Sequence, residues 1–171
     1  MKQQSGLTLL ELMITLAVAG ILISLAAPQF RSMVQNNRIT TQVNEFVTAV
    51  NMARSEAVRA GEPVTLCASQ DQDSCTNPGD GDWAIGWILL GRNAAGDPEV
   101  LRRWRAPTGE PTMIEESARA RVDFLPNGMA DNDLRITHEI PGATCDQRRI
   151  IRLSRGGRTD IRRLECDDDD E

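Results

Sequence analysis

The chain opens with a run of apolar side chains that polar residues barely interrupt. Between Leu7 and Ala27 the only ionisable side chain is that of Glu11, and the run stops at Pro28. As a helix these 21 residues span about 31 Å at roughly 1.5 Å per residue, enough to cross the hydrocarbon core of a bilayer. From Phe30 onward the apolar pattern changes from continuous to helical. Phe30, Val34, Val43, Phe46, Val47, Val50, Ala53, Ala57 and Val58 recur mostly at spacings of three and four, with Arg31, Gln35, Asn36, Asn37, Arg38, Glu45 and Arg54 on other faces. The pattern predicts a helix to about Ala60, stopped by Gly61 and Pro63, with a kink at Pro28 where it leaves the membrane. The stripe reads as a face packed on the following domain, not as a cofactor box.

Beyond Pro63 the periodicity is that of strands. Segments 64–67, 83–90, 100–104, 113–114, 122–124, 134–140, 150–153 and 159–164 are apolar or alternating. Turn clusters separate them, among them Asn77-Pro78-Gly79, 93–98, Pro126-Asn127-Gly128 and Gly156-Gly157. One long helix followed only by short strands predicts an α+β protein. Its long hydrophobic N-terminal helix packs against a small antiparallel β-sheet or sandwich.

A carboxylate inside the apolar run costs roughly 2.5–3.5 kcal/mol on insertion scales, so Glu11 calls for a purpose or a partner. A secretory signal peptide would explain Lys2 and offer Ser24-Leu25-Ala26 for cleavage, but this apolar core is too long and Glu11 breaks it. A plain membrane anchor fits the length and gives no role to Gly6 or Glu11. Gly6, Leu7, Glu11 and Pro28 together resemble the class III leader of type IV pilins and pseudopilins. The resemblance implies that a prepilin peptidase cuts after Gly6 and methylates the new amine of Leu7, where the family usually has Phe. It also implies that Glu11 pairs with the methylated amine of a neighbouring subunit during assembly. A buried carboxylate and ammonium offset each other only when close and well oriented.

The domain narrows the resemblance. Asn51-Met52-Ala53-Arg54-Ser55-Glu56-Ala57-Val58, Val64 to Cys67, Cys75, the stretch from Trp83 to Leu90, and Phe124-Leu125-Pro126-Asn127-Gly128 are similar to the GspH/FimT branch of minor pilins and pseudopilins. This implies a leader at 1–6, an assembly helix at 7–28, an amphipathic continuation at 29–61 and a β domain at 62–171 ending in the acidic tail 167–171. The implied function is a minor pilin or pseudopilin that primes or caps a type IV pilus. Its implied partners are other minor and major pilins, the prepilin peptidase and the inner membrane. Two alternatives stay open: a DNA-binding minor pilin serving natural transformation, and the H-type pseudopilin of a type II secretion system.

Charge and cysteine usage refine this picture. The formal charge is −6, from 19 basic and 25 acidic residues, which argues against a surface that generally coats nucleic acid. One helix behind a positive start implies that the domain lies outside the inner membrane. Four cysteines allow three connectivities, and the sequential pairing Cys67 with Cys75 and Cys145 with Cys166 is favoured. Such bridges suit an oxidising periplasm and contribute roughly 2–4 kcal/mol each. With no CxxC motif and His138 as the only histidine, zinc and thiol-redox readings are poor, and neither a metal nor a cofactor is expected.

Three further groups carry candidate chemistry. Arg148, Arg149, Arg152, Arg155, Arg158, Arg162 and Arg163 place seven positive charges in sixteen residues against Asp160, a candidate DNA contact. DNA-binding members of the branch carry Gly-Arg-x-Arg in a comparable loop, whereas this chain has Gly157-Arg158-Thr159-Asp160. From Asp146 onward seven arginines meet eight acids. The tail is therefore placed to screen these arginines or compete with phosphate for them, and solvated strand faces account for them equally well. Asp71, Asp73, Asp80 and Asp82 form an acidic loop that could hold calcium, although turn chemistry explains it as well. The chain has no G-x-S-x-G, phosphate-cradling or HExxH motif, and Glu115 and Glu116 would point to opposite sides of a strand, so no enzymatic role is expected.

Overall fold

The computed structural model describes residues 8–164. Helix α1 runs without interruption through Pro28 from Leu9–Ala60, 52 residues and about 78 Å at the usual rise. It ends as its sequence requires. Gly61 adopts φ +69°, which a glycine takes without steric penalty, and its N–H returns to the carbonyl of Ala57 at 3.0 Å.

Eight strands follow: β1 Val64–Ala68, β2 Gly86–Arg92, β3 Pro98–Arg105, β4 Thr112–Glu115, β5 Arg121–Phe124, β6 Leu134–Glu139, β7 Arg149–Leu153 and β8 Thr159–Arg163. A single 3-10 turn at Cys145–Gln147 precedes β7. All ladders are antiparallel, in two four-stranded sheets ordered β3-β2-β1-β5 and β4-β6-β7-β8. Each strand expected from the sequence is present, with one shifted start. Trp83 precedes β2 because Asp82 accepts from the backbone N–H groups of both Ala84 and Met113, which turns the chain from one sheet toward the other. The Trp83 ring is buried there, and its indole N–H donates to the carbonyl of Arg119 at 2.9 Å. Gly86 then allows β2 to start, since a Cβ at its φ of +100° would stand 2.9 Å from the Trp104 carbonyl oxygen.

The core lies between the upper half of α1 and the sheets. Ile39, Gln42, Val43, Phe46, Ala49, Val50, Ala53 and Ala57 are the buried helix positions. Three alanines at spacings of four let the helix come close to β1, while Phe46 fills the wider space below. Its ring meets Trp83 and Trp87 edge-on, at centroid distances of 5.2 and 5.4 Å. From the sheets come Leu66, Leu89, Val122 and Phe124 on one side and Met113, Ile136, Ile151 and Leu153 on the other.

The helix stripe differs in part from the expected one. Phe30, Val34 and Val58 are exposed, while Ile39 and Ala49 are buried. The domain covers the helix only from about Gln35, so Phe30 and Val34 continue the uncovered apolar segment. Val58 sits one residue round the helix from the face that Ala53 and Ala57 define.

Candidate functional site

Every described residue from Thr8 to Val34 is exposed, so over half of α1's length an apolar rod projects from the domain. Large side chains such as Leu9, Leu12, Ile14, Leu16, Ile21, Leu25 and Phe30 surround it on all sides. A helix apolar all round is one that another apolar phase or other helices must cover. Three of its hydroxyls are turned inward on the backbone: those of Thr15, Ser24 and Ser32 donate to carbonyls one turn back, at 2.8, 2.7 and 3.0 Å, which satisfies these donors without water.

Thr8 is the N-cap of α1. Its side-chain oxygen accepts from the backbone N–H of Glu11 at 3.2 Å, satisfying one of the donors that a helix start leaves open. Thr8-Leu9-Leu10-Glu11 has the S/T-x-x-E form that marks a helix start, a local signal separate from the charge of Glu11. Glu11 therefore stands in the first turn, where the helix dipole favours an anion. Its carboxylate has no partner among the described residues. Pro28 lies exposed within the helix, and Gly6 and Leu7 fall outside the described residues.

Above this rod a polar seam ties α1 to the second sheet. The Ser32 carbonyl accepts from Gln147, Gln35 donates to the Gly142 carbonyl, and Asn36 Oδ1 accepts from Arg149 Nη2 at 2.6 Å. Gln42 Nε2 donates to the Thr108 carbonyl at 2.8 Å, and its Oε1 lies 2.9 Å from His138 Nε2. His138 is fully buried, and desolvation pulls its pKa down to about 4. The rod is thus held in a fixed relation to the domain.

The arginine run does not form one surface. Arg149 is buried, and its Nη1 donates to the carbonyls of Asp146, Gln147 and Arg148 at 3.0, 2.7 and 3.0 Å. It closes the end of the 3-10 turn and is not free for a ligand, which corrects its place among the candidate DNA contacts. Burial, and then Arg163 nearby, push its guanidinium pKa down. Arg148 pairs with Glu139 at 3.1 Å and Arg162 with Asp160 at 2.7 Å. Arg152 is half-buried on β7, Arg155 and Arg158 stand on the β7–β8 turn, and Arg163 is exposed at the end of β8. Strand alternation sends Arg149 and Arg152 to opposite faces of the sheet.

The remaining candidates are structural in this arrangement. Cys67 and Cys75 form a disulfide with a Cα–Cα distance of 5.6 Å. Cys145 is disulfide-bonded, and Cys166 lies outside the described residues, as does the acidic tail 167–171. The Asp71 carboxylate accepts from the backbone N–H groups of Asp73 and Ser74 and from the hydroxyls of Ser69 and Ser74. Those bonds, the Ser74 hydroxyl foremost, hold its pKa far below the usual carboxylate range. Asp73 pairs with Arg103 at 2.8 Å, and Asp80 accepts from the backbone N–H of Asp82. Among the described residues no three potential ligands gather into a metal-binding group. Glu115 and Glu116 do diverge. Glu115 is buried and accepts from the N–H groups of Ser117 and Arg119, whereas Glu116 pairs with Arg135 on the surface.

Comparison with known proteins agrees with this geometry. Residues 42–157 match the family described as type II transport protein GspH, and residues 1–27 match the prokaryotic N-terminal methylation motif. The type II secretion system protein H of Escherichia coli K12 is 31% identical over 132 residues, covering 75% of this chain and 77% of that protein. A fimbrial protein of Pseudomonas aeruginosa is 38% identical over 69 residues, and the match spans 40% of this chain and 44% of the length of that relative. Among solved structures, the type IV minor pilin FimU of Pseudomonas aeruginosa superposes with a TM-score of 0.60 at 23% identity, covering 76% of this chain and 92% of that one. The minor pseudopilin EpsH from the type 2 secretion system of Vibrio cholerae gives 0.53 at 10% identity, covering 74% and 97%. These two likenesses establish the fold, and with the family match over more than half its length this chain belongs to the GspH family, as a minor pilin or pseudopilin.

Proposed function

We propose that this chain is cut after Gly6, methylated on Leu7 and drawn from the inner membrane into a filament, where it primes or caps a type IV pilus. The observation that carries this reading is the uncovered apolar half of α1 with a carboxylate in its first turn that has no partner among the described residues. In the membrane the apolar side chains are solvated by lipid, and Glu11 carries a desolvation cost. In a filament, neighbouring helices replace the lipid, and the N-terminal amine of an adjacent pilin supplies the missing cation. The domain then sits on the periplasmic side, with Cys166 as the cysteine left for Cys145. The prepilin peptidase and other minor and major pilins are the partners.

A second reading places the same subunit in a type II secretion pseudopilus. The Escherichia coli secretion protein matched over three-quarters of the chain favours it. The larger structural overlap with the minor pilin FimU favours the pilus. DNA capture gains nothing from the geometry, since the arginines are divided among a buried site, ion pairs and separate faces.

The test is Glu11→Ala in the full chain, followed in membranes and in sheared filaments. The variant is expected to insert normally, while its share in filaments falls by about tenfold, the equivalent of roughly 1.4 kcal/mol. Normal incorporation would remove the assembly role of Glu11. Deleting the gene and scoring surface pili against exported protein separates the two machines.

A further inference from the structure

Between β4 and β5 the chain makes a short loop built on one buried acid. The Glu115 side chain is buried, and its Oε2 accepts from the backbone N–H groups of Ser117 and Arg119 at 2.8 and 2.9 Å. Ala118, between them, takes φ +57°, a left-handed conformation that a residue with a side chain adopts only where its surroundings impose it. The loop is therefore held in one shape. It carries Arg119 across the start of β6, where Nη1 donates to the Asp133 carbonyl at 2.9 Å.

Between this loop and the β6–β7 ladder lies an open cleft of about 410 Å³, lined by Ser117, Arg119, Asp133, Arg135, Arg152 and Ser154. Its volume is that of a small-molecule site. Arg135 and Arg152 are cross-strand neighbours, a like-charge pair that destabilises the rung. Arg135 pairs with Glu116 at 3.0 Å. Arg152 has no ion-pair partner among the described residues, and its Nε is sealed from water without an acceptor. The acid opposite it on β8, Asp160, turns its Oδ2 to Arg162. Arg119 also lacks an ion-pair partner among the described residues, and Asp133 Oδ1 is committed to the backbone N–H of Arg155 at 2.6 Å. Two guanidiniums thus line one cleft without an anion.

The paired N–H groups of a guanidinium match the two oxygens of a carboxylate. The charge of the whole lining narrows the ligand further. Arg119, Arg135 and Arg152 are offset by Glu115, Glu116 and Asp133, so the cleft is formally neutral. A polyanion such as a nucleic-acid backbone, whose affinity follows local positive charge, gains little there. A ligand with one carboxylate and otherwise uncharged hydroxyls gains more. Glu116 and Asp133 accept from hydroxyls, and the hydroxyls of Ser117 and Ser154 exchange hydrogen bonds with them. We infer that this cleft binds a sugar acid, with Arg152 and Arg119 holding its carboxylate and the acidic and serine side chains holding its hydroxyls. The site does not depend on which filament the chain enters.

The test is ligand-observed NMR of glucuronate with the full chain, in micelles of a detergent that has no sugar headgroup. Saturation transfer to glucuronate is expected for wild type and for Arg102→Gln, a control on β3 of the other sheet. It is expected to fall severalfold in Arg152→Gln. The same fall is expected in Arg119→Gln, whose exposed side chain can change without disturbing the fold. Glucose, which lacks the carboxylate, is expected to give a signal severalfold weaker than glucuronate. No transfer to glucuronate in wild type would overturn the inference, as would transfer that both arginine variants retain. Equal transfer to glucose would remove the carboxylate from recognition, and loss of the signal on adding equimolar inorganic phosphate would make the cleft a general anion site. Either result overturns the assignment to a sugar acid.

Discussion

Gln42 Oε1 and His138 Nε2, 2.9 Å apart, join helix α1 to strand β6 inside the protein. The Gln42 amide is oriented by its other end, where Nε2 donates to the Thr108 carbonyl. Its oxygen therefore faces the imidazole, so the histidine must donate, and the proton of the neutral ring belongs on Nε2. Nδ1 is buried with no partner among the described residues, and Arg149 stands near enough to oppose a second proton.

The first prediction is acid-sensitive stability. Burial lowers the His138 pKa from 6.5 to about 4, so between those values the unfolded chain binds the proton more readily than the folded one. The contribution is fully present above pH 6.5 and is lost as pH falls toward about 4, on the order of 3 kcal/mol in all. Denaturant midpoints of wild type and His138→Gln across that range check it. The difference between the two is expected to shrink with acidification, and a constant difference would refute the assignment.

The second concerns Phe46, whose ring touches both Trp83 and Trp87. Phe46→Ala is expected to cost about 3–5 kcal/mol, since the sheets on either side cannot both collapse into the space left behind. Equilibrium unfolding followed by tryptophan fluorescence reads both the loss and the altered environment of the two indoles.

Much of this architecture was legible beforehand, because its signals are local. A continuous apolar run, a change to helical spacing and a Gly-Glu-Pro end are each written within a few residues. So are strands bounded by Asn-Pro-Gly and Gly-Gly turns. The face of the helix was less legible. Ile39 and Ala49 are buried while Phe30 and Val34 are not, and the difference depends on where the folded domain begins to cover the rod. The arginine run misled for a related reason. Spacing alone cannot tell that Arg149 turns inward to three carbonyls while Arg158 stays on a turn. Thr8, by contrast, is readable as a capping residue from the Thr-x-x-Glu spacing alone.

The third prediction separates structural from surface arginines. Arg149→Met removes the donor shared by the carbonyls of Asp146, Gln147 and Arg148 and by Asn36, and is expected to destabilise the chain by about 2–3 kcal/mol. Retention on a polyanionic matrix is expected to stay unchanged, because the guanidinium was never presented to solvent. The exposed pair Arg155→Ala and Arg158→Ala is expected to do the reverse, leaving the melting temperature within about 2 °C and eluting at lower salt.

The last prediction separates the two jobs done at the start of α1. Thr8 Oγ1 holds the Glu11 N–H, while the Glu11 side chain has no partner among the described residues. Thr8→Val keeps the shape and removes the acceptor, so one N–H is orphaned at the helix start. In water this costs about 1 kcal/mol, and more where no water replaces the bond. Thr8→Ser keeps the acceptor and is expected to behave as wild type. Glu11→Gln keeps the backbone N–H and its cap while removing the charge. Amide exchange in micelles is expected to accelerate at Glu11 for Thr8→Val and not for Glu11→Gln, whereas entry into filaments is expected to fall most for Glu11→Gln. If both variants fail equally in assembly with the same change in exchange, the carboxylate acts only through the helix start, and its pairing with a neighbour's amine is unnecessary.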